Sequence, residues 1–489
     1  MSPSTNQALQ STAATAVRST FWSFLSFLSG RVLTFVTTIV LAALLTPTEF
    51  GVVAYCMVAM AYLELLNNFG IGQALVTRRD RVQEAANAAF WVGLGSSTLL
   101  FGIGWIAAPF IAQFFRTPEI VPMFRVLALI LLLGGISTVP MALIQRDLRF
   151  KAYLLPSVGR DIVRGAVGIG LALAGYGPWA LIWSEVVSRA IEAAGAWLLV
   201  RWRPTAAFDA TIMRSMLAFG SHMILIALIG TLMANVDYLL VGRILGSAAL
   251  AYYMLAYRLP EIVIRNTNDV VARVAFPLMA QMQSDREHLR QTYFGYLRSI
   301  SLFAFPAGVG LALVTAPFIQ IFYPPAWQSA IRPMQVISIQ MAIASISYVP
   351  GIIYKAINRP EILTRLALLK LPVIVIVLWY GTRWGIDGVA GSGLALAIAS
   401  SVLDCAVVQR VLGFAWGDLY RSLAPSAICA ALMGLVVLGF NRLVPTGGIL
   451  EIVLSILLGA ATYILGLLLL SRETVVQAQT ALRAAISRP

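Results

Sequence analysis

Residues 235–281 read NVDYLLVGRILGSAALAYYMLAYRLPEIVIRNTNDVVARVAFPLMAQ. The second half of this stretch is mostly apolar and is long enough to span a bilayer, which takes about 20 helical residues. It nevertheless carries Arg258, Glu261, Arg265, Asn268, Asp269 and Arg273. Their spacing puts them on one face of a helix. Because a charge in mid-bilayer costs at least ~2.5 kcal/mol, this face is predicted to line a water-filled cavity or a paired protein interior.

The composition of the whole chain points the same way. The 489 residues are 59% hydrophobic and only 11% charged, with a mean hydropathy of +0.84. Soluble domains carry about 25% charged residues. Apolar runs such as VLALILLLGG (residues 126–135) are continuous, whereas the strands of a membrane β-barrel alternate apolar and polar residues. The sequence therefore predicts an all-α integral membrane protein.

Charge and motifs exclude several classes of function. The net charge of +14 is attributed to basic cytoplasmic loops and buried cations, so no nucleic acid partner is expected. The three cysteines lack CxxC spacing and there are two histidines, so we expect no disulfide, no metal site and no cofactor. No phosphate-binding GK[ST] loop and no nucleophile–base set occurs. The chain is therefore predicted not to be an enzyme.

Fourteen transmembrane helices are predicted from the apolar segments. Alternate loops differ in basic residues, with fourteen Arg and Lys on one side and five on the other. By the positive-inside rule both termini are cytoplasmic. The predicted spans are 20–45, 50–75, 86–111, 120–144, 152–174, 178–200, 213–240, 247–281, 293–320, 330–356, 363–381, 387–409, 422–440 and 450–470. The five basic residues of the outer loops are Arg116, Arg243, Arg332, Arg383 and Arg442.

An internal repeat divides the predicted helices into two lobes. Segment 41–51 matches 241–251, ISTVP (136–140) matches ISYVP (346–350), and GYGPWA (175–180) matches GIDGVA (385–390). At the first offset Asn68 aligns with Asn268. An even number of spans separates the matches, so the lobes form a parallel pseudo-repeat with substrate between them. The predicted domains are a cytoplasmic tail (1–19), an N-lobe of six helices (20–205), a C-lobe of six helices (206–412), two extra helices (413–470) and a cytoplasmic tail (471–489).

Two arginines are the leading candidates for substrate binding. Arg31 lies about eleven residues into the first span, roughly 16 Å deep at 1.5 Å per residue. Arg258 lies at a similar depth in the eighth span. Two guanidiniums in one cavity of low dielectric constant attract a di-anion such as a pyrophosphate through bidentate hydrogen bonds. The alternative is that each arginine pairs with a fixed carboxylate, such as Glu261 for Arg258, and only holds helices together.

The other intramembrane polar residues leave alternatives open. Arg265, Arg160, Arg164, Asn68 and Asn268 are further candidates for substrate binding. Arg160 and Arg164 fit either a basic cavity wall or an internal ion network, and Arg265 and Asp269 fit either substrate contact or a solvated face at the cavity mouth. Residues that could couple transport to an ion or form structural pairs are Glu64, Glu261, Asp237 and Asp269. For Glu64, and separately for Asp237, we favour a structural pair with another residue. Charges without a predicted role are Arg125, Glu192, Lys370 and Asp404, while Glu185 and Arg189 have the spacing of a local pair.

Several of these stretches resemble one family. They are RVLTFVTTIVLAALLTPTEFGVVAY (31–55), NNFGIGQALVTRRD (67–80), NVDYLLVGRILGSAALAYYMLAYRLPE (235–261) and VAFPLMAQMQSDREHLRQ (274–291). They are similar to bacterial polysaccharide flippases of the Wzx/polysaccharide-transport family, within the multidrug/oligosaccharidyl-lipid/polysaccharide exporter superfamily. The resemblance covers most of residues 20–410. Ala251 departs from it, because the family usually has a second glycine at that turn.

The resemblance implies a fold and a function. The fold has two six-helix lobes and extra C-terminal helices. The function is translocation of undecaprenyl-diphosphate-linked oligosaccharide from the cytoplasmic to the periplasmic leaflet of the bacterial inner membrane, by alternating access. Related lipid II flippases meet the pyrophosphate with arginines of the first and eighth helices, to which Arg31 and Arg258 or Arg265 correspond. Implied partners are the lipid-linked oligosaccharide, membrane lipids, a polysaccharide polymerase and a chain-length regulator.

Two other functions remain as alternatives to a flippase. The first is an ion-coupled multidrug antiporter of the same superfamily, whose mostly cationic substrates a cavity rich in arginine would repel. The second is a membrane polysaccharide polymerase or ligase. Such an enzyme is expected to have a large periplasmic loop with catalytic groups, and every predicted outer loop of this chain is short.

Overall fold

The structure is a computed structural model that describes residue 30 and residues 33–67, 72, 75, 81–147, 150–205, 210–283, 285–443 and 448–470. Within these ranges the chain is helical apart from short turns, and no β-strand occurs. Nine helices or helix runs of the described part are long and apolar enough to cross a membrane, by length and composition, and Leu33–Leu44 is a shorter apolar helix. The protein is therefore an all-α, multi-pass membrane protein, as predicted.

The chain divides into two compact units. The N-terminal unit comprises the described residues up to Asn235 together with Gly246–Ala248. Its helices are α1 (Leu33–Leu44), α2 (Pro47–Asn67), α3 (Val82–Phe115), α4 (Ile120–Leu127), α5 (Leu129–Arg146), α6 (Phe150–Leu173), α7 (Trp179–Leu199) and the first part of α8 (Ala210–Leu245).

The C-terminal unit comprises Val236–Leu245 and the described residues from Ala249 onward. Its boundary falls within α8, whereas the sequence predicted a lobe boundary near residue 206. The helices that follow α8 are α9 (Ser247–Pro260), a π-helical turn (Glu261–Arg265), α10 (Asn266–Gln281), α11 (Arg286–Phe322), a 3₁₀ turn (Pro325–Ala330), α12 (Ile331–Ala344), a 3₁₀ turn (Ser345–Ser347), α13 (Tyr348–Ala356), α14 (Glu361–Gly381), a 3₁₀ turn (Thr382–Trp384), α15 (Gly385–Leu412), α16 (Trp416–Leu443) and α17 (Gly448–Leu470).

The described helices are consistent with fourteen spans, although some are longer than predicted. Helices α3 and α11 extend beyond the predicted spans 86–111 and 293–320. Hydropathy detects only the apolar part of a helix, whereas polar first turns continue it. At the start of α11, Asp285 accepts hydrogen bonds from the backbone N–H groups of Glu287 and His288, both at 3.1 Å, which satisfies two donors that a helix terminus leaves unpaired.

The predicted repeat is visible in the backbone. Gly175, before α7, has φ 81°, and Gly385, at the start of α15, has φ 69°. Both lie in the left-handed region, which glycine adopts without the steric penalty of a side chain. These two turns occur at the aligned positions of GYGPWA and GIDGVA. Each compact unit therefore contains the same reversal between consecutive helices.

The nine apolar helices or runs do not include α6, α7 or the run from α9 to α10. These three segments contain eleven charged residues inside predicted spans, three on α6, three on α7 and five in the run from α9 to α10. Charge in a span is tolerated where it faces protein or water rather than lipid. The candidate functional groups are therefore concentrated in these segments.

Candidate functional site

In the N-terminal unit, α2, α6 and α7 bring seven ionisable side chains together. Residues three and four apart on one helix share a face, which aligns Arg160 with Arg164 on α6, and Glu185 with Arg189 and Glu192 on α7. We call the cluster the N-terminal ion network. Its members are Glu64, Arg160, Asp161, Arg164, Glu185, Arg189 and Glu192.

Arg189 is at the centre of this network. Its Nη2 lies 3.3 Å from Oε1 of Glu64 and its Nη1 lies 3.3 Å from Oε2 of Glu192. Its Nε lies 3.7 Å from Oε1 of Glu185, a contact that is electrostatic and lacks hydrogen-bond geometry. One guanidinium therefore connects α7 to α2 and also holds two carboxylates of its own helix.

The two arginines of α6 are paired with carboxylates. Nη1 of Arg160 lies 3.2 Å from Oε1 of Glu192, and its Nη2 lies 3.1 Å from Oδ1 of Asp161. Nε of Arg164 lies 3.0 Å from Oε2 of Glu185. These contacts correspond to the internal ion network that the sequence left open for Arg160 and Arg164. Their role in substrate binding stays a prediction.

The network is acidic overall. Three arginines and four carboxylates give it a formal charge of 3 − 4 = −1. Oδ1 of Asp161 contacts Arg160. A Cβ added at Gly30 would lie 2.6 Å from the other carboxylate oxygen of Asp161, Oδ2. The backbone at Gly30 therefore passes directly beside the network. The predicted site residues Arg31 and Asn68 lie outside the described residues.

In the C-terminal unit, the polar stripe of residues 258–273 is interrupted by a π-helical turn. Pro260 lacks a backbone N–H, and its ring conflicts with the carbonyl one turn earlier. The chain accommodates this with the wider turn Glu261–Arg265, and such turns recur at functional sites. The wider turn changes the angular position of every residue that follows it. The single face predicted from uniform α-helical spacing is therefore not continuous.

The polar side chains of this turn and those of the helix that follows it have different environments. Nη1 of Arg265 lies 2.9 Å from Oε1 of Glu261, and both side chains are substantially exposed, at 51% and 37%. The buried Asn268 instead donates from Nδ2 to Oγ of Ser345 at 2.7 Å. Oδ1 of Asp269 accepts a hydrogen bond of 2.6 Å from the Tyr348 hydroxyl. Asn268 thus joins α10 to the segment after α12, whereas the Arg265–Glu261 pair stays on one helix.

Asp237 of α8 lies in a cluster of tyrosines. Its Oδ1 accepts a hydrogen bond from the backbone N–H of Tyr238 at 2.9 Å, and the side chains of Tyr253 and Tyr257 lie beside it. The Tyr257 hydroxyl accepts a bond of 3.3 Å from Nε2 of Gln340. Among the described residues, the groups that contact this carboxylate are neutral. A carboxylate with neutral donors can gain and lose a proton or a cation without breaking an ion pair.

Lys370 of α14 and Asp404 of α15 form a buried ion pair. Nζ of Lys370 lies 2.6 Å from Oδ1 of Asp404, and their side chains are 15% and 9% exposed. The Tyr354 hydroxyl donates a 3.3 Å hydrogen bond to the backbone carbonyl of Asp404. Sequence reasoning assigned neither charge a role. The only available signal was that the two adjacent predicted spans, 363–381 and 387–409, carry charges of opposite sign.

No set of three or more His, Cys, Asp and Glu side chains in the described ranges is arranged to hold a metal ion.

The chain is similar to known proteins in sequence and in fold. It is 26% identical to the teichuronic acid biosynthesis protein TuaB of Bacillus subtilis over 325 residues, which are 65% of this chain and 66% of that protein. It is 24% identical to the succinoglycan biosynthesis transport protein ExoT of Rhizobium meliloti over 481 residues, 94% of each chain. The structure of the lipid II flippase MurJ, in an inward closed conformation, superposes with a TM-score of 0.77 at 14% identity, covering 93% of this chain and 99% of MurJ.

The sequence also matches a protein family directly. Residues 40–332 match the family described as polysaccharide biosynthesis protein. This match covers more than half of the chain and includes α2 to α11 and the predicted boundary between the lobes at residues 205 and 206. The fold is similar to that of MurJ. The chain belongs to the polysaccharide biosynthesis protein family, the Wzx-like group that the sequence resemblance indicated.

Proposed function

We propose that this protein is a flippase for a lipid-linked oligosaccharide. It moves a polyprenyl-diphosphate-linked repeat unit of an exopolysaccharide or lipopolysaccharide from the cytoplasmic to the periplasmic leaflet of the bacterial inner membrane by alternating access. The observation that carries the proposal is the match to a transport protein of polysaccharide synthesis over 94% of both chains. The shared fold with a lipid II flippase supports the same kind of cargo, a polyprenyl diphosphate that carries sugars.

The diphosphate is proposed to bind at Arg31, Arg258 and Arg265. The pair of Arg265 with Glu261 is exposed and lies on one helix, and such pairs contribute little free energy. A diphosphate can therefore displace Glu261 at low cost and gain charge-assisted hydrogen bonds. Arg160 and Arg164 are instead held by carboxylates in a network with an excess negative charge. Their proposed role is to keep α6 and α7 together while substrate passes.

Asp237 is the proposed coupling residue, in preference to Glu64. Glu64 is paired with the permanently charged Arg189, so protonation of Glu64 would take a partner from that guanidinium. Asp237 contacts neutral hydroxyl and backbone groups, so protonation removes a charge without leaving a cation unpaired. Proton or cation exchange at Asp237 therefore changes the charge of α8 with little structural cost. Asn68, Asn268, Glu261 and Asp269 are proposed to shape the path and not to bind the diphosphate themselves.

The test is a flipping assay in proteoliposomes. Purified protein is reconstituted with a polyprenyl diphosphate disaccharide that carries a fluorophore on the sugar, and a membrane-impermeant quencher reports the leaflet. We expect the wild type to accelerate movement of the lipid. Arg265→Ala should slow it about tenfold, the equivalent of ~1.4 kcal/mol. No acceleration by the wild type would contradict the proposed function.

Arg290→Ala is the matched control for Arg265→Ala. Nη2 of Arg290 lies 2.9 Å from Oε2 of Glu287 on the same helix, at the same distance as the Arg265–Glu261 pair. Arg290 belongs to the basic loop set that the sequence assigns to the cytoplasm. The Arg290→Ala variant should therefore flip the lipid at the wild-type rate. Equal loss in both variants would mean that the effect of Arg265 is not local to the substrate path.

The same liposomes test the alternative of a drug antiporter. That function predicts uptake of a cationic dye against a proton or sodium gradient, whereas a flippase predicts none. A polymerase or ligase predicts elongation of the labelled oligosaccharide, which chromatography of the recovered lipid would detect. Cytoplasmic termini, and partnership with a polysaccharide polymerase and a chain-length regulator, remain part of the proposal.

A further inference from the structure

A cavity with both polar and apolar walls opens at one end of the C-terminal unit. Its volume is about 780 Å³, within the range of roughly 300–1,000 Å³ typical of small-molecule sites. It lies where α8 gives way to α9, where the 3₁₀ turn Pro325–Ala330 leads into α12, and where α15 begins. We call it the outer cleft. The lining residues that offer chemistry are Tyr252, Gln328, Ser329, Arg332, Trp384 and Asp387.

Two aromatic side chains of the outer cleft are held in place. The Tyr252 ring meets the buried Trp327 edge-on, with centroids 6.0 Å apart and planes at 87°. The Trp384 ring meets Tyr380 at 5.0 Å and 75°. Trp384 ends a 3₁₀ turn and is followed by Gly385 with φ 69°, which orients the exposed indole. Pre-organised rings provide apolar faces at a low entropic cost.

The polar groups of the cleft indicate the class of ligand. Gln328 and Ser329 each offer a hydrogen-bond donor and an acceptor, Arg332 offers donors, and Asp387 offers acceptors. The charges of Arg332 and Asp387 cancel, so the cleft attracts neither a diphosphate nor a cation. A sugar ring has apolar C–H faces that pack on aromatic rings and hydroxyls that need both donors and acceptors. This lining therefore suits a hydroxyl-rich, largely uncharged oligosaccharide.

The position of the cleft relative to the diphosphate candidates fits a lipid-linked oligosaccharide. Tyr252 and Arg258 lie on the same helix, α9, six residues apart. At 1.5 Å per residue this is about 9 Å along the axis. The sugars of such a lipid are attached directly to the diphosphate and extend away from it. A diphosphate at Arg258 would thus have its sugars within reach of the outer cleft.

We infer that the outer cleft binds the sugar portion of the lipid-linked substrate at the periplasmic end of the pathway. The inference rests on the proposed function for the identity of the sugar. The connections that form the cleft belong to the set of loops with few basic residues, which the positive-inside rule assigns to the periplasm. Sugar bound there favours the state reached after flipping and so opposes return of the substrate.

A binding experiment tests the cleft directly. The ligand is the oligosaccharide released by mild acid from the polyprenyl diphosphate intermediates that accumulate in source cells lacking the protein. Saturation-transfer NMR with the protein in nanodiscs should show contact between protein and sugar ring protons. Trp384→Ala should weaken binding about tenfold, and Trp384→Phe should retain most of it. Equal binding by Trp384→Ala and the wild type, or no binding by the wild type, would overturn the inference.

Trp379→Ala is the matched control. Trp379 and Trp384 are both exposed, at 50% and 61%, five residues apart at the same end of α14. Only Trp384 lines the outer cleft, while Arg383 lies over the Trp379 ring. Exposed tryptophans also anchor proteins at membrane interfaces. If phospholipid headgroup protons, and not sugar protons, receive saturation in a manner that depends on Trp384, the cleft is a lipid site and the inference is wrong.

Flipping assays separate this inference from the proposed function. With wild-type activity established, Trp384→Ala should slow the lipid that carries the full oligosaccharide and spare a polyprenyl diphosphate with one sugar. Equal slowing of both lipids would contradict a sugar site. If the wild type flips neither lipid but binds the free oligosaccharide through Trp384, the proposed function fails and the cleft assignment stands.

Discussion

The two compact units share a helical pattern but arrange their charges differently. In the N-terminal unit, seven ionisable groups of α2, α6 and α7 form one network around Arg189. In the C-terminal unit, the ion pairs are separate, with Glu261–Arg265 on one helix and Lys370–Asp404 between α14 and α15. A network holds several helices at once, whereas separate pairs can break one at a time. The N-terminal unit should therefore be the more rigid at its polar core.

The two units resemble each other more closely in their uncharged polar contacts than in their ion pairs. Asn67 near the end of α2 donates from Nδ2 to the backbone carbonyl of Leu131 at 3.2 Å. Asn268 of α10 donates to Ser345 at 2.7 Å. Each amide joins the second helix of its repeat to the fourth. The two units thus use the same kind of contact at this helix crossing, although the repeat alignment pairs Asn268 with Asn68 and not with Asn67.

Arg189→Ala should have the largest effect of the changes that test this contrast. It leaves the carboxylates of Glu64, Glu185 and Glu192 without their shared cation, and Glu192 is only 10% exposed. Removing one partner of a buried ion pair costs about 3–5 kcal/mol, and we expect the upper end of that range. Thermal unfolding of the purified protein in detergent would measure the loss. Adding Glu192→Gln should restore little, because the other two carboxylates remain.

Lys370→Met should have the next largest effect, about 3 kcal/mol, because it leaves Asp404 buried and unpaired. In contrast to the members of the N-terminal ion network, Lys370 and Asp404 form an ion pair only with each other among the described residues. The double variant Lys370→Met/Asp404→Asn should recover most of the lost stability, and a double-mutant cycle measures the coupling. No recovery in the double variant would mean that Asp404 belongs to a larger network, and the contrast between the units would be lost.

The smallest expected effect concerns the side chain that caps the start of α11. The start of α3 serves as the comparison. Asp285 caps α11 with its side chain, whereas the residue at the same position of α3, Arg81, makes no side-chain cap. The hydrogen bond from the His288 backbone N–H lowers the pKa of the Asp285 carboxyl below its ordinary value, and the His288 ring contributes further. A lowered pKa in the folded state means stabilisation above the pKa of the unfolded state.

The stabilisation by Asp285 should therefore be present at neutral pH and be lost as the pH falls through its lowered pKa. Asp285→Ala should slightly lower the unfolding temperature at pH 7 and have no effect in strong acid, where the carboxyl is protonated in both states. The pH dependence of the difference in unfolding temperature between wild type and variant measures this. A difference that is constant across the pH range would rule out the capping carboxylate as its cause.

Prediction from sequence succeeded where the signal is local along the chain. Hydropathy identified the helices, and the left-handed glycines Gly175 and Gly385 occur where the repeat alignment placed equivalent turns. Helical spacing identified which charges share a face of α7. It did not identify the partner helix, because Arg189 and Glu64 are 125 residues apart in the sequence. Uniform helical spacing also did not predict that a π-helical turn would follow Pro260 in the eighth span.

The sequence by itself determined the membrane class, the repeat and the family. Hydropathy, loop charge and motif similarity are properties of short segments that do not depend on packing. Only the tertiary structure decided which charges neutralise one another, why Arg265 is exposed while Asn268 is buried, and which residues of three separate connections form the outer cleft. The reason is geometric. A charge pairs with whichever opposite charge lies within about 4 Å, where the interaction is strong in a low dielectric environment, and helix packing alone sets that distance.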